Sequence, residues 1–458
     1  MPRPTALLIP LLLAATAASV VAWQEHEQLA SQATALHKAA LLASENDSLR
    51  DALAAAQRGA ADAQNVLRRS QIERDVASIR GLSFTHPVVY QSLDRAGIRQ
   101  VVAGKLSEQY TDQEIRNIST GYSALGLLPP AFPLKQTYVN LLGEQIAAFY
   151  DQHQHKLFMF QDASLENAQN RVILAHELTH ALQDQNFGLL NLALEIKDND
   201  DRAAAASALI EGDATLVMSQ YMVKDLSWHT LADTVTFSAT QSMVEIRKAP
   251  RYLREMLVFP YLRGQQFCEA AFERGGFPAL SEVYKNPPTS TAQILHPEKY
   301  FSQPREDPVQ VTFSNTTFQG RQPLSNNVLG EMGMRILLSQ YVDEVDAERF
   351  STGWRGDRYL VFDGGKILVW KTVWDSPQAA ADFGGVFLSL CSQRFKIGRT
   401  ISRQAWGGRS IQWHREVSAP DRFFTQITTG PNEVVFILAA DQKSADLLED
   451  QFAGASHG

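Results

Sequence analysis

Arg171-Val-Ile-Leu-Ala-His-Glu-Leu-Thr-His-Ala-Leu-Gln183 is the stretch on which the reading of this chain turns. No Gly or Pro interrupts Arg171 to Asn186. Val172, Ile173, Ala175, Leu178, Ala181 and Leu182 place apolar residues at helical spacing, and Gly188 marks a stop. On such a helix His176 and His180 lie one above the other, so both imidazoles can reach one metal ion. Glu177 sits about a quarter turn round, where it can take a proton from a water activated by that metal. The competing reading is a helix with two satisfied histidines and a surface glutamate.

A third ligand is needed. The metzincin pattern places Gly and His where this chain has Gln183 and Asn186, so that class is excluded. Glu211, in Ala208-Leu-Ile-Glu-Gly-Asp-Ala-Thr215, is the next candidate. It lies on a second helical stretch, roughly 202–223, with Ala204, Ala208 and Thr215 on its stripe. Small residues there would let this helix approach the first. Two histidines and one glutamate leave the fourth position of a zinc site open to water. Asp213 fits a group that orients a ligand histidine through its other ring nitrogen. It reads equally well as a helix-local carboxylate.

Around this helix the sequence predicts a hairpin. Gln145–Tyr150 and Lys156–Phe160 are β-prone runs separated by Asp151-Gln-His-Gln-His155. His153 and His155 fall in the turn. Downstream, Pro287-Pro-Thr-Ser-Thr-Ala-Gln-Ile-Leu-His-Pro-Glu-Lys-Tyr300 carries His296 and Tyr300. A His or Tyr donor beside a zinc ion can stabilise the charge that builds on a carbonyl oxygen during hydrolysis. The alternative is a loop whose His and Tyr satisfy backbone carbonyls.

The run Ala175–Phe187, the segment Leu209–Thr215 and the Pro-Pro-Thr-Ser-Thr-Ala-Gln-Ile-Leu-His-Pro segment together resemble a group of poorly characterised bacterial exported zinc metallopeptidase-like proteins, gluzincin-like in ligand set. The resemblance covers roughly residues 78–300. It implies Zn²⁺ as the cofactor, held by His176, His180 and Glu211, with Glu177 as base and proton shuttle. It supplies no substrate; the expected partner is a peptide or protein.

The rest of the chain bounds the answer. Its 458 residues suffice for two domains. With a net charge of −8 and no basic patch, nucleic-acid binding has no electrostatic support. Residues 1–22, with Arg3 and an apolar run from Ala6 to Ala22, read as a signal peptide cleaved after Ala22 or as an uncleaved signal anchor. Export to the periplasm or beyond is therefore expected, and any membrane contact would be through residues 6–22. Residues 23–80 read as a helical stalk, a weak coiled coil or a docked helix, because the leucine repeat is irregular. Residues 81–301 would form the zincin-like domain. Residues 302–325, rich in Gln, Asn, Pro and Thr, read as a linker or surface loop, and 326–458 as a helix plus a small α+β domain. In that tail Asp363-Gly-Gly365 signals a hairpin, and Trp354 and Arg355 read as a packing or recognition loop. Cys268 and Cys391 could pair or stay as two thiols.

The expected fold class is α+β, mainly helical, with a small hairpin or sheet before the tail domain. The expected chemistry is metalloendopeptidase hydrolysis. Two competing readings are a non-catalytic envelope scaffold that keeps a structural zinc site and a metal-dependent amidase acting on cell-wall peptide.

Overall fold

A computed structural model describes residues 8–145, 148–161, 163–225, 248–395, 397–406, 409–416, 423–439 and 441–453. The chain divides into two compact units, Met1–Ser70 and Gln71–Gly458. Helix α1 (Leu8–Arg80) supplies the first unit and the opening turns of the second. In the first unit Leu29, Leu36, Leu42, Leu49 and Leu53 are all exposed. In the second, Ile72, Val76 and Arg80 are buried. Among the described residues no helix is long and apolar enough to cross a membrane.

The second unit is α+β and mainly helical. After β1 (Val89–Leu93) come α2 (Arg95–Gln109), α3 (Asp112–Leu125) and α4 (Leu134–Gln145). Strands β2 (Ala148–Asp151) and β3 (Lys156–Phe160) form the expected antiparallel hairpin. β1 joins it parallel to β3, which leaves β2 at an edge of the sheet order β1-β3-β2. Then come α5 (Ala168–Phe187), α6 (Asp200–Asp225) and α7 (Arg251–Phe272). The sequence predicts helix across most of 225–280, and 226–247 of that span lie outside the described residues.

The tail is built on a seven-stranded sheet of order β4-β5-β6-β10-β9-β8-β7. Its strands are β4 (Ser325–Asn327), β5 (Trp354–Phe362), β6 (Ile367–Trp374), β7 (Ile397–Trp406), β8 (Arg409–Glu416), β9 (Phe423–Gly430) and β10 (Glu433–Ala439). The central strands are buried on both faces with strict alternation. On β10, Val434, Phe436 and Leu438 enter the main core, while Val435, Ile437 and Ala439 enter a second core with Leu448 and Phe452 of the last helix, Gln442–Ala453. The side chain of Asp441 caps that helix by accepting from the Ser444 N–H.

The main core runs from Ile72 to Leu438 without a break at residues 302–325. That segment, expected as a linker or surface loop, is pinned to the sheet. Its Val309 and Leu324 N–H groups donate to the Arg355 and Val361 carbonyls at 2.6 and 2.7 Å. Val311 and Phe318 are buried. Its polar composition hid these few apolar anchors. Trp354 is likewise a packing residue, buried with its indole N–H on Asp357 at 3.0 Å.

Candidate metal centre

Asn167 caps α5 through its side chain, and Gly188, at φ +69°, ends it. Between them His176 and His180 are buried and present their Nε2 atoms to each other at 3.1 Å. Glu211 Oε2, from α6, closes the triangle at 3.0 Å from His176 Nε2 and 3.3 Å from His180 Nε2. These three side chains form a group able to hold a metal ion.

The position of α6 is set by small residues, but chiefly against α7. A Cβ on Gly212 would stand 2.2 Å from the Gly264 carbonyl carbon, and one on Gly264 would stand 2.1 Å from the Ala208 carbonyl oxygen. Backbone therefore meets backbone there. The contact brings Tyr261, one turn before Gly264, to Glu211, one residue before Gly212. The Tyr261 phenol comes close enough to feel the charge of Glu211. Its ring lies 6.0 Å from the His176 ring, at 30°. The sequence reading passed over Tyr261; the signal was the pairing of Gly212 with Gly264 rather than any motif around the tyrosine.

Behind the cluster, His180 Nδ1 meets Gln183 Oε1 at 2.9 Å. The Gln183 amide group donates to the Ile210 carbonyl and to Asp213 Oδ2, both at 3.0 Å. That polarity makes Nδ1 the protonated nitrogen and leaves the Nε2 lone pair for a metal. Asp213 thus acts on the histidine through Gln183, one residue further back than expected. Asp213 is itself held by the buried Arg80, whose Nε lies 2.8 and 3.1 Å from its two oxygens, and by the Tyr284 hydroxyl at 2.9 Å. By contrast, His176 Nδ1 is buried without a hydrogen-bond partner among the described residues.

Glu177 faces the hairpin. Its Oε2 accepts the Tyr150 N–H of edge strand β2 at 2.8 Å. Two turns on, Asp184 Oδ2 accepts the Tyr150 hydroxyl at 2.8 Å. Phe149 stacks on Phe158 across the hairpin, with centroids 4.8 Å apart. The turn histidines have carboxylate partners, His153 with Glu195 and His155 with Asp184. A cleft of about 260 Å³ opens over the cluster, lined by Gln109, Tyr150, Gln152, His180, Leu194 and Glu211 among others.

Burial opposes charge throughout this cluster. It raises the Glu177 pKa against the pull of the two histidines. It also disfavours charge on His180, but Glu211 outweighs it and lifts that imidazole to about 9. In return the two histidines hold the Glu211 carboxylate well below its usual range, against burial. The charge of Glu211, then burial, holds the Tyr261 phenol well above its ordinary value. The cluster retains a proton at a point where three ligand groups converge and where a metal cation could replace it. Ligands about 2.0–2.2 Å from a tetrahedral zinc lie roughly 3.3 Å from one another. The separations of 3.0, 3.1 and 3.3 Å match that spacing, and two imidazoles with one carboxylate suit it chemically.

His296 and Tyr300 are engaged elsewhere. His296 Nε2 pairs with buried Glu331 at 2.6 Å, and the Tyr300 hydroxyl donates to the Asn286 carbonyl at 2.7 Å. Their segment joins two helices: Thr291 donates to Asp201 in the first turn of α6, and its hydroxyl accepts the Met332 N–H. The hydroxyl beside the metal cluster is Tyr261. Cys268 and Cys391 are two buried free thiols.

Comparison with known proteins adds little chemistry. Residues 317–446 match a domain of unknown function, DUF8575. No curated protein matches the chain. A solved structure titled "Crystal structure of a putative hydrolase with a novel fold from Chloroflexus aurantiacus" aligns at 21% identity over 52% of this chain and 87% of that one. Its TM-score is 0.34, too low to carry an argument about this chain.

Proposed function

We propose that this protein is a zinc-dependent metallopeptidase. The observation that carries the reading is the convergence of His176, His180 and Glu211 at zinc-ligand spacing, with Glu177 beside them on the same helix. A zinc ion held there supplies Lewis-acid polarisation of the scissile carbonyl and lowers the pKa of a water. Glu177, with a raised pKa, takes the proton of the attacking water and delivers it to the leaving amine. The hydrogen bond it accepts from the Tyr150 N–H orients the carboxylate. Tyr261 stands where a phenol can donate to the oxygen on which charge develops. The edge of β2 would align an extended peptide through its backbone groups. We place the activity outside the cytoplasm on the strength of the apolar run at residues 6–22.

The test is Glu177→Gln on metal-loaded protein. Zinc content should match wild type while peptide hydrolysis falls by about 10²–10⁴-fold. A variant that still cleaves a peptide library at wild-type rate would overturn the mechanism. Tyr261→Phe should lower kcat by about 10²-fold or more with little change in KM.

A further inference from the structure

A cavity of about 520 Å³ lies against the metal cleft. Gln109 and Leu194 line both spaces. On β2, Phe149 faces the cavity and the next residue, Tyr150, faces the cleft. On α6, Asp200 and Ala203 line the cavity, whereas Ser207 and Glu211 line the cleft. The spacing of these four residues puts them on one stripe of the helix. The cavity and the metal cluster are therefore two stations along one helix face. Ala203 and Glu211 are eight residues apart, about 12 Å at 1.5 Å per residue. An extended peptide at about 3.3 Å per residue spans that distance in three to four residues.

The cavity walls are mainly apolar and aromatic, with Val102, Ile118, Tyr138, Val139, Tyr252 and Met256 among them. Its charged groups already have partners within the protein. Asp200 accepts the Tyr122 hydroxyl at 2.6 Å, Lys105 pairs with Asp151 at 3.0 Å, and Lys135 pairs with Asp112 at 2.7 Å. A charged ligand would find no free counter-charge among these groups, while an apolar one gains by leaving water. The volume exceeds what one side chain requires and falls in the range of ligand pockets.

We infer that this cavity is a subsite for an extended apolar group carried by the substrate three to four residues from the bond that is cleaved. The inference rests on the metallopeptidase reading for the position of that bond. The group is either a pair of large apolar side chains or an acyl chain on a lipidated peptide; both present the same chemistry to the walls.

The test uses the zinc-loaded Glu177→Gln protein, whose ligands are intact. Ten-residue fluorescent peptides carry a Phe-Phe pair moved stepwise through an Ala/Ser/Gly background. One further peptide carries an N-terminal dodecanoyl chain, and an all-background peptide is the control. Binding is read by anisotropy. At least one apolar class should bind tenfold or more tightly than the control, and which class does so identifies the source. Ala203→Trp and, independently, Val139→Trp should erase that gain without changing zinc affinity; either variant suffices if its thermal melt shows it folded. In wild-type digests the cleaved bond should fall three to four residues from the pair. Equal binding of apolar and control peptides, or a gain that survives both filled cavities, overturns the subsite. A gain lost on filling but without hydrolysis would retain the apolar site and reject the peptidase reading. Glu177-dependent hydrolysis with no gain would do the reverse.

Discussion

Two carboxylates, half-buried Glu211 in the helical half and fully buried Asp357 in the sheet, show how one kind of group serves different ends. Asp357 accepts four N–H donors at 2.9–3.0 Å: the backbone of Leu329 and Gly330 and the indoles of Trp354 and Trp370. Every donor is fixed, and none has a lone pair to share. Glu211 faces two imidazoles and a phenol, groups that exchange protons and bind metals, at the floor of an open cleft. Satisfaction by rigid amides marks a carboxylate that holds structure together. Convergence with other ligand atoms marks one able to hold a cation. If this contrast is sound, truncating each should damage a different property.

Glu211→Ala should give the largest effect. Zinc affinity should fall on the order of 10³-fold or more, since changes behind metal ligands alone cost 10–100-fold. Competition with a chelating dye reads this directly. The metal-free variant should melt only modestly below metal-free wild type, because the partly exposed carboxylate gives up only its attraction for the two histidines. Asp357→Ala should do the opposite. Four buried N–H groups lose their acceptor, and stability should fall by at least about 3 kcal/mol. Denaturant unfolding measures the loss, and zinc stoichiometry of the folded fraction should stay at the wild-type value. Loss of zinc in the Asp357 variant, or a large stability loss in metal-free Glu211→Ala, would collapse the distinction.

The two regions were not equally legible in the sequence. Helix α5 was, because His176, Glu177, His180 and their apolar neighbours form a local, periodic pattern. Glu211 and the hairpin 148–160 followed from equally local signals. What escaped was set by long-range contact. Tyr261 reaches the cluster only because Gly212 and Gly264 let two backbones touch. The Asp357 hub draws donors from residues 329, 330, 354 and 370, which no window of sequence joins. Strand β7 was missed, while the tail sequence predicts strands at 410–416, 423–428 and 433–438, close to the observed β8, β9 and β10. The His296 segment was read as possible chemistry because His and Tyr are chemically versatile; its role in tying α6 to the helix at 330–338 depends on Asp201 and Glu331, which lie far from it in sequence.

A smaller effect sharpens the contrast from behind the cluster. Gln183→Leu removes the acceptor on His180 Nδ1 and the bridge to Asp213. Zinc affinity should fall about 10–100-fold, the usual cost of losing an orienting partner. Asp213→Asn, which keeps an oxygen for Gln183 but leaves Arg80 without its counter-charge, should cost stability more than affinity. An unchanged affinity in Gln183→Leu would mean that packing alone orients the imidazole.

Asp201 stands between the two kinds of carboxylate and gives the smallest expected effect. It is buried at the start of α6 and accepts the backbone N–H of Thr291 at 2.9 Å as well as its hydroxyl. Burial, against those hydrogen bonds, raises its pKa from 3.8 to about 7. The fold therefore favours the protonated acid. The stabilisation is complete below the unfolded value and is lost as pH rises through the folded one. Between pH 6 and 8 the loss should be about 1 kcal/mol, seen as a falling melting temperature in metal-free protein. Asp201→Asn keeps an acceptor for Thr291 and cannot ionise, so its melting temperature should lose that part of the slope. Because Asp201 lies three turns of α6 from Glu211, the slope should also persist in Glu211→Ala. A slope that vanished there instead would assign the titration to the metal cluster.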